Sequence, residues 1–301
     1  MSAKYIELQV NGHGGVDLLS ARSSEDIRTV SRSIYKNGVL GYLPTLITSP
    51  LAESLRVLEL IEEVRKDPKP GEALILGTHL EGPFISAEKC GVHPRNYIIP
   101  PNQSHIDSLM QSGLIKMVTI APELPGALAL IKYMTNLGVV VSLGHSDANR
   151  NEAEAGFDSG AKTVTHLFNA MRKPPLDGLA QTALDRSDII IQIIVDEVHV
   201  PNELVSRTLE MVSDRFILTN DTIAAAGLGS GTYPFGDMTI RVEDSQARRL
   251  DGTLAGGIGT LVQSLEILKK MNIPQEDALA SITTIPCELL GLDYETLLSQ
   301  K

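Results

Sequence analysis

The 301 residues are 43% hydrophobic, enough to bury a sizeable core as one large domain without disulfide or metal staples. A formal net charge of −11 with no basic stripe disfavours a nucleic-acid partner. The apolar runs are far shorter than the roughly 20 residues of a membrane span, residues 1–11 lack a secretory signal pattern, and Cys90 and Cys287 stand too far apart to suggest a disulfide framework, so a cytoplasmic protein is expected.

Along the chain, eight brief, β-branched-rich apolar runs read as buried strands: 6–10, 41–46, 73–80, 116–120, 139–143, 163–165, 189–195 and 216–219. Ser23 or Ser24 caps a helix through Ile27, Val30, Ile34 and Tyr35, which Gly38 stops. Ser49-Pro50 opens a second, with Leu55, Leu58, Ile61 and Val64 at helical spacing. Pro125 starts a third, and Pro201 a fourth through Leu204, Leu209 and Val212. Residues 259–271 and 275–283 read as two more. Strands alternating with helices predict an α/β fold with a parallel sheet, and the length suits a single (β/α)8 TIM barrel over 1–301. An open doubly wound sheet is the rival, but Asn11-Gly12-His13-Gly14-Gly15 is not G-x-G-x-x-G and no acidic residue ends a second strand. Residues 233–254, with a turn at Asp251-Gly252, read as a β-hairpin inserted after strand eight.

In such a barrel, chemistry sits where strands end. Strand one ends in Gln9-Val10-Asn11, strand three in His79-Leu80-Glu81, strand four in Ala121-Pro122-Glu123 and strand five in Gly144-His145-Ser146-Asp147. His166 to Asn169 follow strand six, Asp196 to His199 strand seven, and Asn220-Asp221-Thr222 strand eight. Three of the seven histidines thus follow three consecutive strands. Glu81, His145 and His166 form a carboxylate and two imidazoles, a donor set for Zn2+ or another divalent ion with a position left for water. Each alone is more simply a hydrogen-bonded group at a barrel mouth; all three at the strand ends of one barrel point to a metal. Asp221 is the candidate general base and acid, against the plain reading of a turn-forming Asp. His199 is the candidate partner of a developing oxyanion, or else a surface histidine before the Pro201 helix. His93, Asn169 and Ala170 are candidates for substrate contact, while His13 and His105 receive no role.

These strand ends and their neighbours resemble the N-acetylglucosamine-6-phosphate deacetylases of the amidohydrolase superfamily. The matching runs include residues 8–17, His79-Leu80-Glu81-Gly82-Pro83-Phe84, Gly91-Val92-His93-Pro94, Gly144-His145-Ser146-Asp147-Ala148, residues 165–171, Asn220-Asp221-Thr222 and residues 251–256. The resemblance covers nearly the whole chain, and the pairing of HLEGPF with THLFNAM is its most specific element. It implies that Glu81, His145 and His166 bind one divalent metal, Zn2+ first and Fe2+, Co2+ or Mn2+ as alternatives. It further implies that Asp221 is the acid and base, that His199 meets the amide carbonyl, and that His93, Asn169 and the Ala170 backbone line a sugar-phosphate pocket. Gln9-Val10-Asn11 stands where many amidohydrolases have His-x-His and a second metal; amides are poorer ligands, so one metal is expected, with Gln9 beside its water. A homodimer is implied as well.

Three departures set further expectations. The small β-sandwich usual in the family is expected to be missing. The loop after Met171 carries Arg172 and Lys173 where an arginine normally precedes Pro-Gly, so one of these is expected to take the phosphate. Glu197 replaces a usual glycine and, pointing inward, would oppose an anion. The expected activity is deacetylation of N-acetylglucosamine 6-phosphate. The alternatives are deacetylation of another N-acyl amino sugar, or a degenerate barrel that binds sugar without turnover.

Overall fold

The computed structural model describes residues 4–172 and 177–300. Among them, eight parallel strands lie side by side in chain order: β1 (Tyr5–Val10), β2 (Val39–Ile47), β3 (Thr78–Glu81), β4 (Ile115–Ile120), β5 (Val140–Leu143), β6 (Thr163–Val164), β7 (Ile190–Ile193) and β8 (Phe216–Leu218). Every residue of β1 and β2 is buried, because helices cover the outside and side chains fill the inside. That double burial is why the strands read as solid apolar runs instead of alternating ones. The sheet curls until Val10 pairs in parallel with Thr222, just past β8, and closes the barrel.

A helix follows each strand: α1 (Ser24–Lys36), α2 (Leu51–Lys66), α3 (Gln103–Met110), α4 (Ala127–Asn136), α5 (Arg150–Asp158), α6 (Leu179–Asp185), α7 (Asn202–Met211) and α8 (Leu261–Lys270). α1 begins with a full capping box, the Ser23 side chain accepting from Asp26 N–H and the Asp26 carboxylate from Ser23 N–H, and it buries Ile27, Val30 and Ile34. α9 (Gln275–Ala280), α10 (Thr284–Leu289) and α11 (Tyr294–Ser299) finish the chain. Residues of α10 and α11, Cys287 and Leu297 among them, cluster with Ile6, Leu8, Leu43, Met117 and Ile217 and plug the end opposite the polar strand termini. No helix among the described residues is long and apolar enough to cross a membrane.

The structure corrects several details. The run 73–80 is two pieces, Leu74–Ile75 and β3, separated at Gly77, whose φ of 151° departs from strand geometry. The insertion is a three-stranded antiparallel sheet, not a hairpin: β9 (Gly231–Phe235), β10 (Met238–Glu243) and β11 (Gln246–Arg249). Its extra turn, Asp244-Ser245, lacks glycine and takes left-handed backbone at both residues, so the usual hairpin signal was absent. Helices α3, α5 and α6 were not anticipated. α3 buries only Ile106 and Leu109, and α5 only Ala153, Gly156 and Phe157, too little for a periodic stripe.

Inside the barrel a polar layer links β3 to β7. His79 Nε2 meets Thr119 Oγ1 at 2.7 Å, Thr119 meets Thr165 at 2.8 Å, Thr165 meets Ser142 at 2.5 Å, and Gln192 Nε2 donates to Thr163 Oγ1 at 3.1 Å. Burial drives the His79 pKa down to about 4, so this histidine sits there neutral. Gly144 passes over this layer, and a Cβ on it would lie 2.9 Å from both Thr119 Cγ2 and Thr165 Cβ. Gly144→Ala is therefore expected to cost about 1–3 kcal/mol in urea unfolding and to lower activity, because the crowding falls one residue before His145; unchanged stability would show that the layer can yield.

Candidate active site

The polar strand ends converge because the backbone turns sharply there. His145 (φ 47°), His166 (φ 32°), Phe168 (φ 73°), Ala170 (φ 52°) and Asp221 (φ 51°) all adopt left-handed backbone, each at a cost of order 1–3 kcal/mol. Such strain persists only where surrounding contacts enforce it. Glu123 from the end of β4 does so for the β5 loop, accepting from Ser146 Oγ and from Asp147 N–H, both at 2.7 Å.

At the centre, Glu81 Oε1 lies 3.1 Å from His145 Nε2 and 2.9 Å from His166 Nε2, and the two nitrogens are 3.2 Å apart. Ligand atoms around an ion with bonds of about 2.0–2.1 Å at tetrahedral angles stand about 3.3 Å apart, so the spacing fits a shared divalent ion. His145 Nδ1 lies 2.9 Å from the Lys89 carbonyl, which can only accept, so Nδ1 carries a hydrogen and the ring is held with Nε2 turned toward Glu81. Burial alone would push the Glu81 carboxyl up, but the three imidazoles around it outweigh this and hold it well below the usual range.

Ligand atoms of Glu81, His93 and His145 also lie within 4.8 Å of one another. The tautomer of His93 sets it apart. Thr48 N–H donates to its Nδ1 at 3.3 Å, and Thr48 Oγ1 lies 2.9 Å from the same atom, so the proton resides on Nε2, which faces Glu81 Oε2 at 3.6 Å. His166 Nε2, at 2.9 Å from Glu81 Oε1, stands closer to the carboxylate than His93 Nε2 does.

Asp221 is half-buried beside this cluster and accepts from Asn11 Nδ2 at 2.6 Å. Burial and the Glu81 charge push its carboxyl well above the usual range, against the pull of His166 and Asn11. Gln9 Nε2 donates to Glu81 Oε1 at 2.9 Å from behind the cavity. His199 Nδ1 meets Asp196 Oδ2 at 2.7 Å, leaving Nε2 as the nitrogen available to a substrate. Burial raises the Asp196 carboxyl, but its bonds to the His199 ring and to the His199 and Val198 amides outweigh that and hold it low. Glu81, His145, His199 and Asp221 line a cavity of about 80 Å³ whose walls include His93, Asn169 and Ala170, with Val92, Ile194, Phe235 and Leu254 as its apolar part.

Arg172 is not among the described residues lining that cavity. It grips Asp147 through two nitrogens, at 3.1 and 2.9 Å, and Lys89 reaches the same carboxylate at 3.3 Å. Lys173 lies outside the described residues. Glu197 is exposed, accepts from Asn202 Nδ2 at 3.0 Å and does not line the cavity. Sequence reasoning gave no role to Asn11, Asp196 or Phe235. Asn11 was signalled by its place two residues after Gln9, whereas nothing in the insertion marked Phe235.

No family model matches the chain. The chain is similar to the N-acetylglucosamine-6-phosphate deacetylase of Caenorhabditis elegans, with 35% identity over 315 residues covering 98% of this chain and 75% of that protein. The crystal structure of N-acetylglucosamine-6-phosphate deacetylase from Pasteurella multocida superposes with a TM-score of 0.90 at 31% identity, over 97% of this chain and 77% of that one. A mutant of the Mycobacterium smegmatis deacetylase in complex with N-acetyl-D-glucosamine-6-phosphate superposes with a TM-score of 0.89 at 30% identity, over 97% and 78% of the two chains.

Glu81 is the atom-level hub, so Glu81→Ala should weaken metal binding by more than the roughly 10–100-fold typical of losing an outer partner. Elemental analysis of the purified variant checks this; an undiminished metal content would remove Glu81 from the ligand set.

Proposed function

The chain belongs to the N-acetylglucosamine-6-phosphate deacetylases, amidohydrolases that split the acetamide of N-acetylglucosamine 6-phosphate into glucosamine 6-phosphate and acetate, and from that premise we propose how its own residues divide the work. The observation that carries the proposal is the mutual approach of Glu81 Oε1, His145 Nε2 and His166 Nε2 to within 3.2 Å. These three would hold the metal, with Zn2+ first because one carboxylate and two imidazoles with an open position suit it. A divalent ion bound there would lower the pKa of a water and polarise the acetamide carbonyl.

Asp221 removes the proton of the attacking water and returns it to the departing amine. Its raised pKa serves both halves, because a carboxyl held nearer neutrality keeps a proton long enough to deliver it. His199, oriented by Asp196, presents Nε2 to the carbonyl oxygen as charge develops there. Gln9 steadies the Glu81 carboxylate and borders the water site. His93 Nε2–H, Asn169 and the Ala170 backbone contact the sugar, and Ile194, Phe235 and Leu254 exclude water around the acetyl group. Arg172, two residues beyond Ala170, would have to leave Asp147 to reach a phosphate at the rim. A single catalytic barrel domain, supported by the eight consecutive parallel strands, and a cytoplasmic homodimer, its dimeric state supported by the family resemblance, belong to the same proposal.

Asp221→Asn should keep fold and metal and lose roughly 10²–10⁴-fold in kcat, read as acetate release; near-normal turnover would end its assignment. Arg172→Ala should raise KM for the phosphorylated substrate about tenfold or more, as expected for a lost bond to a charged group, and leave that for N-acetylglucosamine unchanged. Equal effects on both substrates would take the phosphate away from Arg172.

A further inference from the structure

Between β8 and β1 the barrel has no continuous ladder. At one end the gap is filled by the segment after α9, where Ile6 N–H donates to the Ile282 carbonyl at 2.8 Å and Leu218 N–H to the Ser281 carbonyl at 3.3 Å. At the other end Thr222 N–H donates to the Gln9 carbonyl at 3.2 Å, and Asn11 N–H to the Thr222 carbonyl at 2.8 Å. In the middle stands a side chain. The Glu7 carboxylate, 2% exposed, accepts from Thr219 Oγ1–H at 2.6 Å and Asn220 N–H at 3.0 Å across the seam, and from Gln9 N–H at 3.2 Å on its own strand.

Gln9 N–H is available to Glu7 because the pairing of β1 with β2 breaks register between Glu7 and Val10. Leu8 joins the cluster of Ile6, Met117 and Ile217, yet the very next side chain, Gln9, reaches Glu81. A local irregularity of this kind re-aims a side chain, and its freed amide needs an acceptor. On the facing side, the Asn220 amide that Glu7 holds immediately precedes Asp221 and its left-handed turn. One carboxylate therefore anchors the peptides that set both Gln9 and Asp221. An amide in its place could not, since its NH2 would confront one of three donors. Burial pushes the Glu7 carboxyl up to about 7, against the pull of its hydrogen-bond donors, Thr219 and Asn220 foremost.

We propose that Glu7 is a positioning residue for the reaction: without touching substrate, its carboxylate holds the Gln9 and Asn220 peptides so that Gln9 and Asp221 keep their places beside Glu81. The proposal rests on the acid–base role given to Asp221. Its test compares metal-loaded Glu7→Gln, Glu7→Asp, Thr219→Val and Asp221→Asn by acetate release, metal content and thermal unfolding. Glu7→Gln is expected to lower kcat roughly tenfold or more, with KM within about threefold and metal content unchanged, as misplaced catalytic groups do. Thr219→Val removes one donor to the same carboxylate but neither peptide anchor, so its kcat should stay within about twofold even where its Tm falls. If Glu7→Gln does not fold, Glu7→Asp decides, because the shortened carboxylate cannot span both peptides and kcat should fall about threefold or more. Wild-type kcat in a folded Glu7 variant, or an equal loss in Thr219→Val, overturns the proposal, since a merely structural role moves Tm and not the split between kcat and KM. Normal turnover in Asp221→Asn would fell the acid–base reading itself; an inactive Asp221→Asn beside a normal Glu7→Gln would sink the positioning role alone.

Discussion

A buried carboxylate oxygen and two imidazole nitrogens pressed within 3.2 Å of one another call for a positive charge among them. Taking a carboxylate out of water costs several kcal/mol, and removing its partners leaves that cost unrelieved. The surrounding structure is arranged to keep the three atoms together. The Lys89 carbonyl fixes which nitrogen of His145 bears the proton, Gln9 braces Glu81, and left-handed backbone turns His145 and His166 inward at the ends of adjacent strands. Each of these contacts would be a minor matter elsewhere; here each removes one way for the cluster to relax apart.

The barrel supplies the rigidity that such a cluster needs. Its far end is plugged by apolar side chains of α10 and α11, and its interior carries hydrogen-bonded threonines, Ser142 and His79 directly beneath the ligands. The weakest point of the cylinder, the seam between β8 and β1, adjoins the proposed acid–base residue. It is closed by Glu7, by Thr222 and by the segment after α9, not by a ladder. The inserted sheet contributes Phe235 to the cavity wall and packs Ile240, Val242 and Ala247 over Ile47, Val92 and Ile223, so one side of the pocket is built by residues that form no part of the barrel.

Much of this was legible in the sequence because a parallel barrel obeys two simple rules. Buried strands are short apolar runs, and side chains that do chemistry follow them. Those rules alone put Glu81, His145, His166, His199 and Asp221 at one rim, and the structure brings four of them around one cavity, with His166 against Glu81 and His145. What escaped had a physical reason. Helices α5 and α6 are too short and too evenly composed to show a stripe, and the turn at Asp244-Ser245 contains none of the residues that announce one. The partners of the site, Asp196, Asn11 and Glu7, act through contacts between distant segments, which spacing along a chain does not encode. Arg172 illustrates the converse: a cation in a promising loop, it is engaged by Asp147 outside the cavity. The motif located the residue but not the direction of its side chain.

The measurement that bears most directly on the account is anomalous X-ray diffraction from crystals grown with a divalent transition metal. The account predicts one strong peak within bonding distance, about 2.0–2.2 Å, of Glu81 Oε1, His145 Nε2 and His166 Nε2 together. A peak coordinated by His93 in place of His166, or no ordered ion at this rim, would contradict it.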